Sequence, residues 1–422
     1  MTIQTFPITD LIPGLIEARG ALDFDQRSYV SQPDTSAQTA SSSKEPSEKN
    51  PSVKSLKKEV TRQGLSPRRL PDWTRMQVPQ VMDVIVRMPS GVRLRFNTTA
   101  TRIGLEFLAT NLVNAGKERR QIVFNLELST KAASTPLVVA SDKGNAIHLD
   151  PAKPGKFDLV RGEADTVWFE SLPEGDKCCE LWLPHNAFIE LRALHLNEDA
   201  VLTAPEGDER PRWLHYGSSI SHCMEADEPA HTWPAVAARK AHANLQSLGF
   251  GGQCHLDQFV ARTIRDSDAD VVTIKVGINV INLDSMRERV FVSALHGFID
   301  TIREGKPDTP IVLVSPIYCP SAEHVPGPTF PDSDGKFVTF VGHEKLREGC
   351  LTLARARTLI NDLVKQRGKA GDKHLSYLDG LTLFSADDAG DLPDDLHPNA
   401  AGYVRMGERF APTLAAALAS VT

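Results

Sequence analysis

Between about residue 75 and residue 205 the chain runs in short stretches whose apolar and polar positions alternate. Val92-Arg93-Leu94-Arg95-Phe96, Ile103-Gly104-Leu105-Glu106-Phe107 and Ile122-Val123-Phe124-Asn125-Leu126-Glu127-Leu128 are the clearest of them. Val84-Ile85-Val86-Arg87-Met88, Val167-Trp168-Phe169 and Phe188-Ile189-Glu190-Leu191-Arg192-Ala193-Leu194 read the same way. A period of two puts one set of side chains on one face of a strand, and the Gly, Pro and Asn residues between runs mark turns. Many short strands without helices predict an antiparallel β-sandwich of the jelly-roll kind. Trp168 and Trp182 fall in this region, and core or inter-domain packing accounts for them better than a sugar-stacking platform.

From about residue 211 the rhythm changes to strand, loop, helix. Strand-like runs are Trp213–Tyr216, Asn244–Leu248, Val271–Val276, Pro310–Val314 and Leu375–Leu378, with helical periods near 232–242, 255–266, 285–304, 344–368 and 399–418. This alternation predicts an α/β fold: a three-layer α/β/α arrangement around a parallel sheet. The stretch from residue 31 to about 64 is rich in Ser, Lys, Glu and Pro and has almost no large apolar residues, so it cannot offset its ordering entropy. The expected organisation is therefore an N-terminal segment, 1–30, packing on the sandwich, a disordered insertion, 31–66, the sandwich, 67–208, and the α/β domain, 209–422.

Composition narrows the function classes. The chain has 422 residues, 41% of them hydrophobic and 24% charged, with a net charge of −7, which gives no general affinity for nucleic acid or anionic membrane. No apolar run approaches the roughly 20 residues that span a bilayer. Asp10 and Glu17 interrupt the apolar N-terminal stretch, which argues against a secretory signal. The six cysteines form neither a disulfide framework nor a zinc pattern, so reduced thiols and a cytoplasmic location are expected.

In a parallel sheet ligands sit at the carboxyl ends of the strands. After the first strand comes Gly217-Ser218-Ser219-Ile220-Ser221, where a glycine lets the chain turn and Ser219 can stand at a helix start with its hydroxyl exposed. By itself such a motif is far more often a helix-capping serine, and it is not the Gly-x-Ser-x-Gly elbow. The second strand leads into Gly249-Phe250-Gly251-Gly252-Gln253-Cys254-His255, taken alone a flexible turn, in which an amide such as that of Gly252 can donate to an oxyanion. The third leads into Gly277-Ile278-Asn279, whose side-chain amide offers a second donor or merely closes a turn. Near the C-terminus, Leu392-Pro393-Asp394-Asp395-Leu396-His397-Pro398-Asn399 holds an acid and an imidazole three residues apart. Such a loop supplies a general base and the carboxylate that orients it. Asp379 and Asp395 are fallback acids without that spacing. His215, His222 and His255, with Cys223 and Cys254, lack paired ligand spacing, so neither a metal nor another cofactor is predicted. His222, Cys254 and His255 are instead candidates to line the pocket. The Pro-, Gly- and Asp-rich stretch from Pro316 to about 340 is a candidate cover for the site or a surface loop.

Taken in order, these pieces resemble the block motifs of the SGNH hydrolase superfamily, the GDSL-type esterases and lipases. Ser219 matches the first block, Gly252 the second, Asn279 the third, and Asp394 with His397 the fifth, over about residues 211–420. The segments Gly249–Asp257 and Gly277–Val280, together with an N-terminal β-sandwich, are similar to the salicylyl-acyltransferase-like GDSL proteins of bacteria. Two positions depart from the pattern: Ser218 stands where the motif has Asp, and Val280 where an Asp usually follows the Asn. The resemblance implies Ser219 as nucleophile, His397 as base, Asp394 as its orienting acid, and an oxyanion hole from Ser219, Gly252 and Asn279. The expected activity is carboxylic-ester hydrolysis of a small or sugar-linked acyl ester. The alternatives are transfer of the acyl group to an alcohol, or non-catalytic glycan binding. The expected partner is a small-molecule ester, with no nucleic acid or membrane; the sequence is silent on oligomeric state.

Overall fold

The structure is a computed structural model that describes residues 2–31, 60–114, 118–129, 136–149 and 156–421. Its N-terminal half is a sandwich of two sheets. The larger runs in the order Phe157–Val160, Asn145–Leu149, Ile103–Asn114, Ala187–Asn197, Val60–Arg68, Asp23–Ser31, with Ile3–Pro7 and Asp165–Phe169 pairing beside it. The smaller runs Leu202–Thr203, Arg93–Thr98, Lys177–Trp182, Ile122–Ser129, Leu137–Ser141, with Glu17–Arg19 on Arg93–Thr98. All strand pairs in both sheets are antiparallel except Ile103–Asn114 with Asn145–Leu149, which is parallel. The alternation seen in the sequence is the burial pattern of the strands. In Ala187–Asn197 buried and half-buried residues alternate until Ala193 and Leu194, both buried, and the slip follows a bulge between Leu191 and Ala193. Phe96, Phe107, Phe124, Leu126 and Leu191 fill the space between the sheets, with the Phe107 and Phe124 rings 4.8 Å apart.

Two expectations need correcting. The stretch 31–66 is not unstructured throughout: Val60–Arg68 is a strand that pairs residue for residue with Asp23–Ser31, and residues 32–59 lie outside the described residues. The pairing is fastened at its end by buried Arg68, which faces Asp23, Asp25 and Asp83. The run Val84–Met88, read as strand, lies largely in a helix, Gln80–Val86. Its buried residues Met82, Ile85 and Val86 are spaced for one helical face, and they pack against the second domain, not the sandwich.

The second half is a parallel sheet of β1 (Arg212–Gly217), β2 (Asn244–Gly249), β3 (Val271–Lys275), β4 (Ile311–Val314) and β5 (Leu375–Leu378) in the order β2-β1-β3-β4-β5. Its helices are α1 (Ser219–His222), α2 (Trp233–Lys240), α3 (Gln258–Arg265), α4 (Ile278–Asn282), α5 (Glu288–Gly305), α6 (Leu353–Lys369) and α7 (Ala400–Ala419). Helices α2 and α7 pack together on one face, where Trp233 and Phe410 meet Trp213 of β1. Helices α3, α5 and α6 lie on the other, where Phe298 of α5 stacks on Tyr216 at 5.3 Å. Each large side chain buried here contributes about 1.5–3 kcal/mol. The strand order reverses between β1 and β3, and that switch point is where such sheets hold their ligands. Leu70, Met82, Ile85, Val86, Met88 and Trp182 from the N-terminal half belong to the same apolar core as this sheet, so the two halves share one seam. Among the described residues no helix is long and apolar enough to cross a membrane.

Candidate active site

Strand β1 ends at Gly217, and a Cβ there would stand 2.2 Å from Ser221 Oγ; only glycine lets the chain fold back so tightly. Ser218 then caps α1 by accepting the Ile220 N–H, and Ser219 becomes the first helical residue, partly exposed at the switch point. Its Oγ lies 2.9 Å from His397 Nε2, and His397 Nδ1 lies 2.7 Å from Asp394 Oδ2. The other oxygen, Asp394 Oδ1, accepts the backbone N–H groups of Leu396 and His397 at 3.0 and 2.6 Å. Asp395 makes this turn possible with a left-handed backbone at φ 62°, which aspartate adopts more readily than most residues. Asn399 caps α7 immediately afterwards, so the loop is anchored at its far end.

The electrostatics suit a base that is held ready. Burial opposes a charged imidazole at His397, but the Glu225 and Asp394 carboxylates outweigh it and raise the pKa above the ordinary value. Burial also opposes charge on Asp394, yet the hydrogen bonds and charge of His397 hold its carboxyl below the usual range. Tyr403 of α7 donates its hydroxyl to Glu225 Oε2 at 2.8 Å and keeps that carboxylate in place.

Gly252 has φ +68°, a conformation that favours glycine, and a Cβ there would meet nothing within 4 Å. Its carbonyl oxygen is 3.2 Å from the His255 ring, and neither its N–H nor that of Ser219 has a hydrogen-bond partner among the described residues. Asn279, in α4, accepts the Cys254 N–H on Oδ1 at 2.9 Å, which leaves its NH2 as the end available to a ligand. The structure thus brings together Ser219, Asp394 and His397, and sets Gly252 on the loop after β2 and Asn279 in the short helix after β3.

The three pocket candidates differ. His222 is fully buried, with Nε2 on the carbonyl of His185, and burial pushes its pKa well down; it lines no open surface. Cys254 is buried too, its thiol donating to the Lys275 carbonyl and pushed up to about 12 by burial. His255 is partly exposed between Gly252 and Ser285. His215 is buried and neutral, its pKa pushed down to about 3, and it bonds Ser221 and Thr273 at 2.7 Å. Asp379 caps a turn at Leu381, and Asp395 faces Lys336. Among the described residues no group of three or more His, Cys, Asp or Glu could hold a metal.

Two neighbours of the triad escaped the sequence reading, Glu225 and Phe337. Phe337 belongs to a hairpin, Thr329–Pro331 with Phe337–Thr339, inside the stretch taken as a cover or a loop. Its N–H donates to the Asp394 carbonyl at 2.8 Å, and its ring stands edge-on to His397 at 5.6 Å. The opposite strand of the hairpin packs beside α4, which carries Asn279. The hairpin therefore stands between the two sides of the site.

Residues 215–405 match the model of the GDSL-like lipase/acylhydrolase family. The whole chain is similar in structure to salicylyl-acyltransferase SsfX3 from a tetracycline biosynthetic pathway: TM-score 0.71, 25% identity, 98% of this chain and 97% of that one covered. It shares its fold with a Bacteroides ovatus protein assigned as a GDSL-like lipase, at TM-score 0.63 and 16% identity over 99% of this chain and 98% of that one. A family two carbohydrate esterase from Cellvibrio japonicus also has this fold, at TM-score 0.55 and 12% identity over 100% of this chain and 99% of that one. No protein of curated function matches the sequence.

Proposed function

We propose that the chain is a serine-dependent carboxylic-ester hydrolase, acting on a small or sugar-linked acyl ester through an acyl-enzyme. The observation that carries the reading is the hydrogen-bond chain from Ser219 Oγ through His397 to Asp394, at 2.9 and 2.7 Å. In the proposed reaction Ser219 Oγ attacks the ester carbonyl while His397 Nε2 takes its proton, and Asp394 stabilises the imidazolium. The oxyanion accepts from the Ser219 and Gly252 N–H groups and from the Asn279 amide. Collapse breaks the bond to the alcohol, which leaves with the proton from His397. Water, deprotonated by the same imidazole, then releases the acid and restores Ser219.

A second reading replaces water with an alcohol acceptor. It is favoured by the similarity to an acyltransferase along nearly the whole chain, and by the Phe337 hairpin beside the imidazole. Glycan binding without catalysis has less support. Trp182 is buried at the seam, and Trp168 has Arg102 over its ring at 3.9 Å while lying against Gly104. The cytoplasm remains the proposed location, on the cysteine usage alone.

The test compares wild type with Ser219→Ala on p-nitrophenyl acetate and on acetylated sugars. Equal rates for the two proteins would sink the catalytic reading. Adding simple alcohols and measuring ester product against free acid separates transfer from hydrolysis.

A further inference from the structure

Arg69 follows directly on the sandwich strand Val60–Arg68 and is fully buried at the seam. No carboxylate pairs with it among the described residues. Its Nη1 donates to the carbonyls of Gly249 at 2.6 Å and Ser247 at 3.3 Å, both at the end of strand β2, just before the Gly251-Gly252 loop. Its Nη2 donates to the Ile85 carbonyl at 2.9 Å and faces His222 Nδ1 at 3.4 Å. The guanidinium also lies over the Phe250 ring at 4.9 Å, while its Nε has no partner.

Burying a cation without a counter-charge is costly, and an apolar side chain of similar size would fill the space more cheaply. Burial pulls the pKa of Arg69 down to about 9, so the group still carries its charge at neutral pH. What the guanidinium supplies is geometry, because its planar fork fixes several acceptors at once. One branch holds the end of β2 just before Gly252. The other reaches His222, the last residue of the helix that begins at Ser219. His222 is held by the N-terminal half at two further points: Ser90 Oγ donates to its carbonyl at 2.8 Å, and its Nε2–H donates to the His185 carbonyl at 2.7 Å.

We propose that Arg69 is a positioning residue through which the N-terminal domain fixes the spacing between the Ser219 and Gly252 amides, and so sets the oxyanion hole. The inference rests on the hydrolase or acyltransferase reading of the site. Arg69 touches no substrate and acts only through the two loops it joins. The sandwich is then half of the catalytic framework and not a detachable binding module.

The test uses the full chain with Arg69→Met, Arg69→Lys and Arg69→Ala on p-nitrophenyl acetate. Removing one oxyanion donor outright lowers kcat by about 10²–10³, so misplacing a donor should lower it about tenfold to a hundredfold. KM should stay within about twofold, because the ground-state ester does not use the hole fully. The pH inflection of kcat/KM should not move, since Arg69 contacts neither His397 nor Asp394. Guanidinium ion at millimolar concentration should restore part of the kcat of Arg69→Ala, where sodium at equal ionic strength does not. A folded Arg69→Met protein with wild-type kcat would overturn the proposal. If Arg69→Met fails to fold, wild-type kcat in Arg69→Lys would overturn it, as would equal rates for Arg69→Ala with guanidinium and with sodium. A wild-type protein no faster than Ser219→Ala would instead refute the hydrolase reading itself, which separates the two failures.

Discussion

Asn279 offers the sharpest test of the oxyanion assignment, because its two ends do different jobs. Oδ1 accepts the buried Cys254 N–H at 2.9 Å, and the NH2 is left for the substrate oxygen. Asn279→Ala removes both. Losing the donor should lower kcat by about 10²–10³, or about 2.7–4 kcal/mol of transition-state stabilisation. Losing the acceptor strands a buried N–H and should cost about 1–3 kcal/mol of stability. Asn279→Asp keeps an oxygen facing Cys254 but sets an acceptor where a donor is needed. Its unfolding midpoint in urea should stay closer to wild type than that of the alanine variant, while kcat falls at least as far. KM should change little in both, since the negative oxygen develops only in the transition state. Steady-state kinetics on p-nitrophenyl acetate and urea unfolding of the same preparations read both effects. If Asn279→Asp kept kcat within about threefold of wild type, the donor role would be refuted and Asn279 would be a loop-closing residue.

Other consequences are as specific. His397 must be neutral to take the Ser219 proton, and its folded pKa is raised by Glu225 and Asp394, so kcat/KM should rise with pH through an inflection above about 6.5. Glu225→Gln should move that inflection to lower pH; an unmoved profile would remove Glu225 from the electrostatics of the site. Asp394→Asn should lower kcat by about 10⁴ with the fold intact, because the imidazole loses its orienting carboxylate, and a loss under tenfold would refute that role. Phe337→Ala removes the ring edge beside His397 but keeps the backbone bond to Asp394, so the ranking of acyl groups should change while the unfolding midpoint holds. Trp213→Ala empties a fully buried site whose indole N–H bonds Thr273, and should cost about 3–5 kcal/mol in urea unfolding; less than about 1 kcal/mol would contradict the packing described.

The grouping of Ser219, His397 and Asp394, the proposed triad, was legible in the sequence because each part follows a strand, and a parallel sheet brings the carboxyl ends of its strands together. Asp394 and His397 needed only local spacing, and Ser219 needed Gly217 to make its turn. Glu225 gave no such signal. It reaches the imidazole's surroundings through Tyr403 on α7, a meeting created by helix packing and marked by no motif. The hairpin around Phe337 was hidden for a related reason, since its strands are three residues each and too short to show a period.

Two of the readings that the structure changes share a location. The run Val84–Met88, read as strand but lying largely in the helix Gln80–Val86, and His222, offered as a pocket residue, both lie at the seam, as does Arg69, which no motif marks. Reading a chain by its apolar period assumes that each element has one buried face and one wet one. At the seam that assumption fails, because elements of the sandwich side are covered by the parallel sheet. Ile85 and Val86 then fall in a short apolar run, Val84–Met88, that passes for a strand, and a buried arginine looks like a solvated one. Pattern analysis recovers each domain to the extent that it faces water, and it goes blind where two domains make one core. The groups that tie the Ser219 turn to the sandwich (Arg69, Ser90 and the His185 carbonyl) therefore had to come from the packed structure, because only there do they have acceptors and donors to name.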